Sequence, residues 1–139
     1  MSPGTRERRP ILEIDGVVYK NVYEVGYELY TAKDETGRPA DRAHAGVIKV
    51  TRESDENSNI ARWAMDSSKP NWKAGKVTFK NPDDATMKEL SWEEGFITRY
   101  EEHIPHVKMR ADDQVYEYFE ISCHKLSIGD AEIDNRWQE

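Results

Sequence analysis

The chain has 139 residues, 37% hydrophobic and 34% charged, with a formal net charge of −7. A chain of this size can bury one real core, and its acidic balance excludes nucleic acid as the main partner, because phosphate binding needs clustered Lys and Arg. A single cysteine, Cys123, excludes an internal disulfide, and no apolar run approaches the roughly 18 residues a membrane-spanning helix needs.

Residues 1–9 carry Arg6, Arg8 and Arg9 and no apolar stretch, so they read as a flexible tail without a signal peptide. Residues 10–139 read as one domain. Leu12 and Ile14 alternate with Ile11 and Glu13, and Asp15-Gly16 is a two-residue hairpin signal, since Gly tolerates the positive φ such turns require. Val17, Val18 and Tyr19 follow. Val25, Tyr27 and Leu29 then point one way, and Glu24, Gly26, Glu28 and Tyr30 the other, which predicts a long strand with one buried face. The polar stretch Asp34–Asp41 breaks it, with a turn at Thr36-Gly37 and Pro39 removing a ladder donor. Extended structure resumes at Gly46, with Ile48 and Val50 opposed to Val47, Lys49 and Thr51.

One helix is predicted next. Ser54, Asp55 and Asn57 are N-cap candidates, Ile60, Trp63 and Ala64 form one apolar stripe, and Ser67, Ser68 and Pro70 end the run after about three turns. Strands return beyond it. Val77 and Phe79 share a face, Asn81–Thr86 form a loop, and Leu90 and Trp92 fall in phase with Phe96, Thr98 and Tyr100. Val115, Phe119, Ile121 and Cys123 oppose Tyr116, Tyr118, Ser122 and Leu126, and Gly129-Asp130 marks a last turn. Six to eight strands with one inserted helix predict a small, mainly β domain: a β-barrel of two packed antiparallel sheets with one flanking α-helix, or a sandwich. Val25, Tyr27, Leu29, Phe79, Trp92, Phe96, Phe119 and Ile121 are expected to fill the core.

The candidate chemistry is thin. His103 and His106 stand three apart, but Pro105 interrupts any helix that could present them to a metal. His44 falls in a loop and His124 in a strand. In Ser122–Lys125, Cys123 and His124 point to opposite faces and cannot form a nucleophile–base pair, so Cys123 reads as a core residue. Paired acids such as Asp83-Asp84 and Glu101-Glu102 read as solvated, and no glycine-rich phosphate motif occurs. No catalytic residue, cofactor site or metal site is expected. Two other classes fit the same composition: a monomeric barrel that binds a small ligand, and a small barrel hydrolase or metalloenzyme.

The order of segments carries more than any one of them. The turn at Thr36–Pro39, the strand Gly46–Ser54, the Trp63-centred helix, the strand Gly75–Phe79 and the aromatic strand ending at Tyr100–Ile104 follow one another in a set order, closing with Trp137. Over about residues 10–139 this resembles the Hcp/TssD tube proteins of type VI secretion systems, in the form found in Bacteroidetes. The resemblance implies a homo-hexameric ring that stacks into a hollow tube inside a contractile sheath, on a spike and baseplate, with secreted effectors in the lumen and no enzymatic activity. It implies assembly in the cytoplasm and export by sheath contraction, without a signal peptide. Tubes of extracellular contractile injection systems and of phage tails share the architecture. Asp34, Glu35, Arg38, Pro39, Asp41, Asp83 and Asp84 are then the residues expected on loops that meet neighbouring subunits or rings.

Overall fold

The computed structural model describes residues 10–104 and 115–136; the expected N-terminal tail, Pro105, His106 and Trp137 lie outside them. Among the described residues the chain forms β1 (Ile11–Ile14), β2 (Val17–Tyr19), β3 (Val22–Tyr30), β4 (His44–Glu53), α1 (Asn59–Met65), β5 (Lys73–Lys80), β6 (Thr86–His103), β7 (Tyr116–Ser122), β8 (Lys125–Ile128) and β9 (Ala131–Asp134). All strand pairs are antiparallel.

The strands make two layers that share β6. Its first half pairs with β5 and β8, and the wider layer runs β2-β1-β5-β6-β8-β9. Its second half, from Phe96, pairs with β7, and the narrower layer runs β6-β7-β4-β3. The changeover falls at Glu94, whose φ is +51. The two-sheet, one-helix expectation therefore holds. The hydrogen-bonded ladder does not close into a barrel, however: β2 and β3 end its main path among the described residues. Side chains bridge part of the gap between β4 and β9. Arg42 Nη1 donates to the Asp134 carbonyl at 2.7 Å, and Asn135 Oδ1 accepts the Ala45 N–H at 2.9 Å.

Local sequence explains most elements. Asp15 and Gly16 both take positive φ, 53 and 81, in the β1–β2 hairpin, the geometry that matches strand twist. β7 alternates strictly, with Glu117, Phe119 and Ile121 inward. Trp92 is locked by its surroundings. Its indole N–H donates to the Lys73 carbonyl at 3.0 Å. A Cβ on Gly75 would lie 2.4 Å from its ring and one on Gly95 2.5 Å, so both glycines exist to admit this ring.

The structure corrects several expectations. α1 is seven residues long, not three turns, and begins after Ser58 with no side-chain cap. The polar residues ahead of it build successive turns instead, Asp55 Oδ1 accepting Asn57 N–H and Asn57 Oδ1 accepting Asn59 N–H. Its stability comes from Ile60 and Trp63, which are buried as expected. Leu29 is not core: it is 50% exposed, because a bulge between Tyr27 and Leu29 breaks the alternation. Phe96 is half-buried and stacks on Trp72, while Ile97 takes the buried position, since the turn of β6 at Glu94 shifts the phase by one. Thr98 is exposed for a similar reason, lying in the irregularity between Ile97 and Arg99. The run through Ser122–Lys125 is two strands: the break at Cys123 and His124 puts Leu126 in the core with Cys123 rather than opposite it.

Candidate assembly site

Two exposed connectors stand out from the layers. The β3–β4 connector holds Asp34, Glu35, Arg38, Pro39 and Asp41, all exposed. It is organised by one carboxylate. Asp34 Oδ1 accepts the Thr36 N–H at 2.9 Å, the Thr36 hydroxyl at 2.7 Å and the Arg38 N–H at 3.1 Å. Backbone bonds Asp34 N–H to Arg38 O and Ala40 N–H to Ala32 O close the tip. The Thr36 and Arg38 donors hold the Asp34 carboxyl below its ordinary range. Gly37, at φ +86, makes the turn. The arm is thus preorganised by its own bonds and does not need a partner to take shape.

The β5–β6 turn carries Asp83 and Asp84, also exposed. Asn81 Oδ1 accepts the N–H groups of Asp83 and Ala85 at 3.0 Å each, and Asp84 sits at φ +65. The sequence-expected loop residues therefore fall into two separate clusters on two connectors. Asp41 faces back toward the sheet, where its Oδ2 lies 3.1 Å from His44 Nε2. That bond, with the Arg42 N–H, lowers its carboxyl.

His44 opens β4 rather than lying in the loop, and stacks on Tyr30 at 5.5 Å. His124 lies between Glu94, at 2.8 Å, and Asp134, at 2.9 Å. His103 stacks on Tyr116 at 4.9 Å. No group of three His, Cys, Asp or Glu among the described residues could hold a metal ion. Cys123 is buried, and burial pushes its thiol up to about 12, so it is a poor nucleophile.

The strongest charge cluster escaped the sequence reading. Arg52 and Glu117 are both almost fully buried and form an ion pair. Arg52 Nη2 reaches Asp55 at 3.0 Å, and the guanidinium carbon lies 5.5 Å from the Tyr19 ring centroid. Tyr100 donates its hydroxyl to Glu117 Oε2 at 2.6 Å. Burial opposes the charge on Arg52, but its bonds to Glu117 and Asp55 outweigh that and hold it cationic. Burial, and then Glu117, push the Tyr100 hydroxyl above its ordinary range. The signal was present: Arg52 is in phase with Ile48 and Val50, and Glu117 with Phe119 and Ile121. The cluster fixes β4, β7 and the second half of β6 to one another.

The edges complete the picture. In the narrower layer, β3 pairs on one side with β4, and the Phe96–His103 half of β6 pairs with β7, so each has one open side among the described residues. Such edges offer unpaired backbone groups to another chain.

Solved structures share this arrangement. The chain superposes on Hcp1 from Flavobacterium johnsoniae with a TM-score of 0.78 and 32% identity, covering 91% of this chain and 99% of that one. Hcp1 from the E. coli EAEC 042 pathovar gives 0.71 at 12% identity, covering 94% and 100%. The sheath–tube complex of the PVC extracellular contractile injection system gives 0.57 at 11% identity, covering 91% of each chain. At those lower identities the likeness is one of fold, and the fold is that of the tube proteins of contractile secretion machines. No curated protein matches the chain. The family described as Hemolysin coregulated protein Hcp (TssD) matches residues 8–138, and the chain belongs to it. It is a type VI secretion tube protein and not an enzyme.

Proposed function

We infer that this chain forms six-membered rings that stack into the hollow inner tube of a type VI secretion system. The carrying observation is the pair of open edges in one four-stranded layer. β3 of one copy and the second half of β6 of the next are of similar length, so pairing them extends the sheet from subunit to subunit. Such a contact is heterologous and produces a ring when its rotation closes. It also hides both edges from aggregation.

The two connectors serve the second direction of growth. Asp34, Glu35, Arg38, Pro39 and Asp41 on one arm, and Asp83 and Asp84 on the other, meet the next ring. The preformed tip suits this role, because an arm already ordered loses less entropy on docking. A contractile sheath surrounds the tube, a spike and baseplate start it, and effectors travel in its lumen. The tube assembles in the cytoplasm and leaves the cell by sheath contraction.

Light scattering with negative-stain imaging of the purified chain tests the ring. Six-membered rings are expected; a strictly monomeric species at high concentration would overturn the assignment. Charge reversal at Asp34, Glu35, Asp83 and Asp84 should abolish stacked tubes while single rings persist. Deletion of the sheath in the parent cell should abolish appearance of the protein outside it.

A further inference from the structure

A cleft of about 320 Å³ opens between the β1–β2 hairpin and α1. Ile14, Val17, Tyr19, Ile60 and Trp63 give it an apolar floor, and all but Val17 are buried. The volume far exceeds the roughly 30 Å³ share of one water and falls at the small end of ligand pockets, about 300–1,000 Å³. Trp63 is 4% exposed, yet its indole N–H has no hydrogen-bond partner among the described residues. The indole N–H groups of Trp72 and Trp92, by contrast, donate to backbone carbonyls at 2.8 and 3.0 Å. A buried indole N–H normally finds an acceptor, and at Trp63 the chain supplies a space instead.

The rim of the cleft carries two cations and two carboxylates, Arg62, Lys73, Asp15 and Asp66. Each is already engaged. Lys73 Nζ lies 3.3 Å from Asp15 Oδ2. Asp66 accepts the Ser68 N–H at 3.0 Å and the side-chain amide of Asn71. Arg62 donates to Asn59 Oδ1 at 3.3 Å and to Ser58 Oγ at 3.5 Å. An ion entering here would meet charges of both signs at the rim and lose its hydration against the apolar floor. An uncharged molecule avoids both costs.

We propose that this cleft is a binding site for a small, uncharged aromatic molecule that bears an acceptor oxygen. The Trp63 N–H donates to that oxygen, and the Tyr19 and Trp63 rings receive the flat body. Every residue of the site comes from one chain, so the site does not depend on the ring assembly inferred above.

Coumarin, an uncharged two-ring lactone, is the probe, with the anion coumarin-3-carboxylate beside it. Equilibrium dialysis of the full chain measures binding, and the indole N–H resonances of the same protein labelled with nitrogen-15 locate it. Coumarin should bind saturably, once per chain, and move the Trp63 resonance; the anion should bind at least tenfold more weakly. Trp63→Phe keeps a ring and removes the donor, so affinity should fall about fivefold, the worth of one neutral hydrogen bond. Val17→Trp, at the exposed mouth of the cleft, leaves Trp63 in place and should abolish binding by filling the space. Val18→Trp, on the opposite face of β2, should stay within about twofold of the wild type. Equal binding by the wild type and Val17→Trp would place coumarin elsewhere and overturn the proposal. So would an unmoved Trp63 resonance, or equal binding of the anion. No saturable binding would mean that water alone fills the cleft, and loss of binding in assembled rings would mean that a second copy covers it; either would overturn the site.

Discussion

Two arginine–glutamate pairs lie on opposite faces of the same four-stranded sheet. Arg52–Glu117 is on the core face, with side chains 2% and 3% exposed. Arg99–Glu101 is on the uncovered face, with side chains 59% and 51% exposed. The chemistry is the same and the consequences are not. Water screens the outer pair and offers each partner an alternative, so losing one partner costs little. The inner pair has no such alternative: each charge depends on the other, on Tyr100 and on Asp55. One face of the sheet is thereby held together by ions, while the ions of the other face are satisfied by water as well as by each other.

The contrast can be broken most sharply at Glu117. Glu117→Ala should cost about 3–5 kcal/mol in denaturant unfolding, because it strands a buried guanidinium. Arg52→Met combined with Glu117→Leu should recover much of that, since no charge then remains buried. A single-variant loss below about 1 kcal/mol would mean that water reaches the pair. Tyr100→Phe removes one donor to Glu117 and leaves the ion pair, so about 1.5 kcal/mol is expected from the same measurement.

Cys123 extends the comparison to pH. Its folded thiol ionises near 12 and its unfolded thiol near 9.0, the shift being caused by burial. The folded state therefore binds the proton more tightly. The stabilisation is fully present below pH 9 and is lost as pH rises toward 12. Relative to Cys123→Ala, the wild type should lose stability across that window, and at pH 8 a thiol reagent should react at the rate of unfolding. Fast labelling of the folded protein at pH 8 would contradict the burial. The smallest effect belongs to the outer pair: Arg99→Ala should leave the unfolding midpoint unchanged, and a clear drop would mean that the outer face is less open to water than its exposure says.

Much of the architecture is legible in the sequence because each layer has one dry face. Period-two alternation marks β3, β4, β5 and β7, Asp15-Gly16 marks the first hairpin, and the Ile60–Trp63 spacing marks the helix. What escapes is whatever interrupts the period. The bend in β6 rests on a positive φ at Glu94, a residue type with no such preference. Leu29 continues an apolar alternation that a bulge cancels. The break at Cys123 and His124 is held by tertiary bonds, His124 N–H to the Glu93 carbonyl and Asn135 Nδ2 to the Cys123 carbonyl. Arg52 and Glu117 escape because each is costly to bury alone, and their pairing across 65 residues is visible only in space. The loop residues Asp34–Asp41, Asp83 and Asp84 were legible as connectors from their turn chemistry, but what they touch is a property of the assembly and not of one chain.

β6 has a consequence beyond folding. It is 18 residues long, and both layers hang from it. A tube pushed from behind carries its thrust along its walls, and a two-walled tube fails first by one wall sliding over the other. In the tube proposed above, the same backbone would be a member of both walls, because β6 belongs to both layers. Sliding the layers apart means breaking covalent chain, or stripping β6 from β7 on one side or from β5 and β8 on the other, so in the proposed tube the two walls would travel as one body.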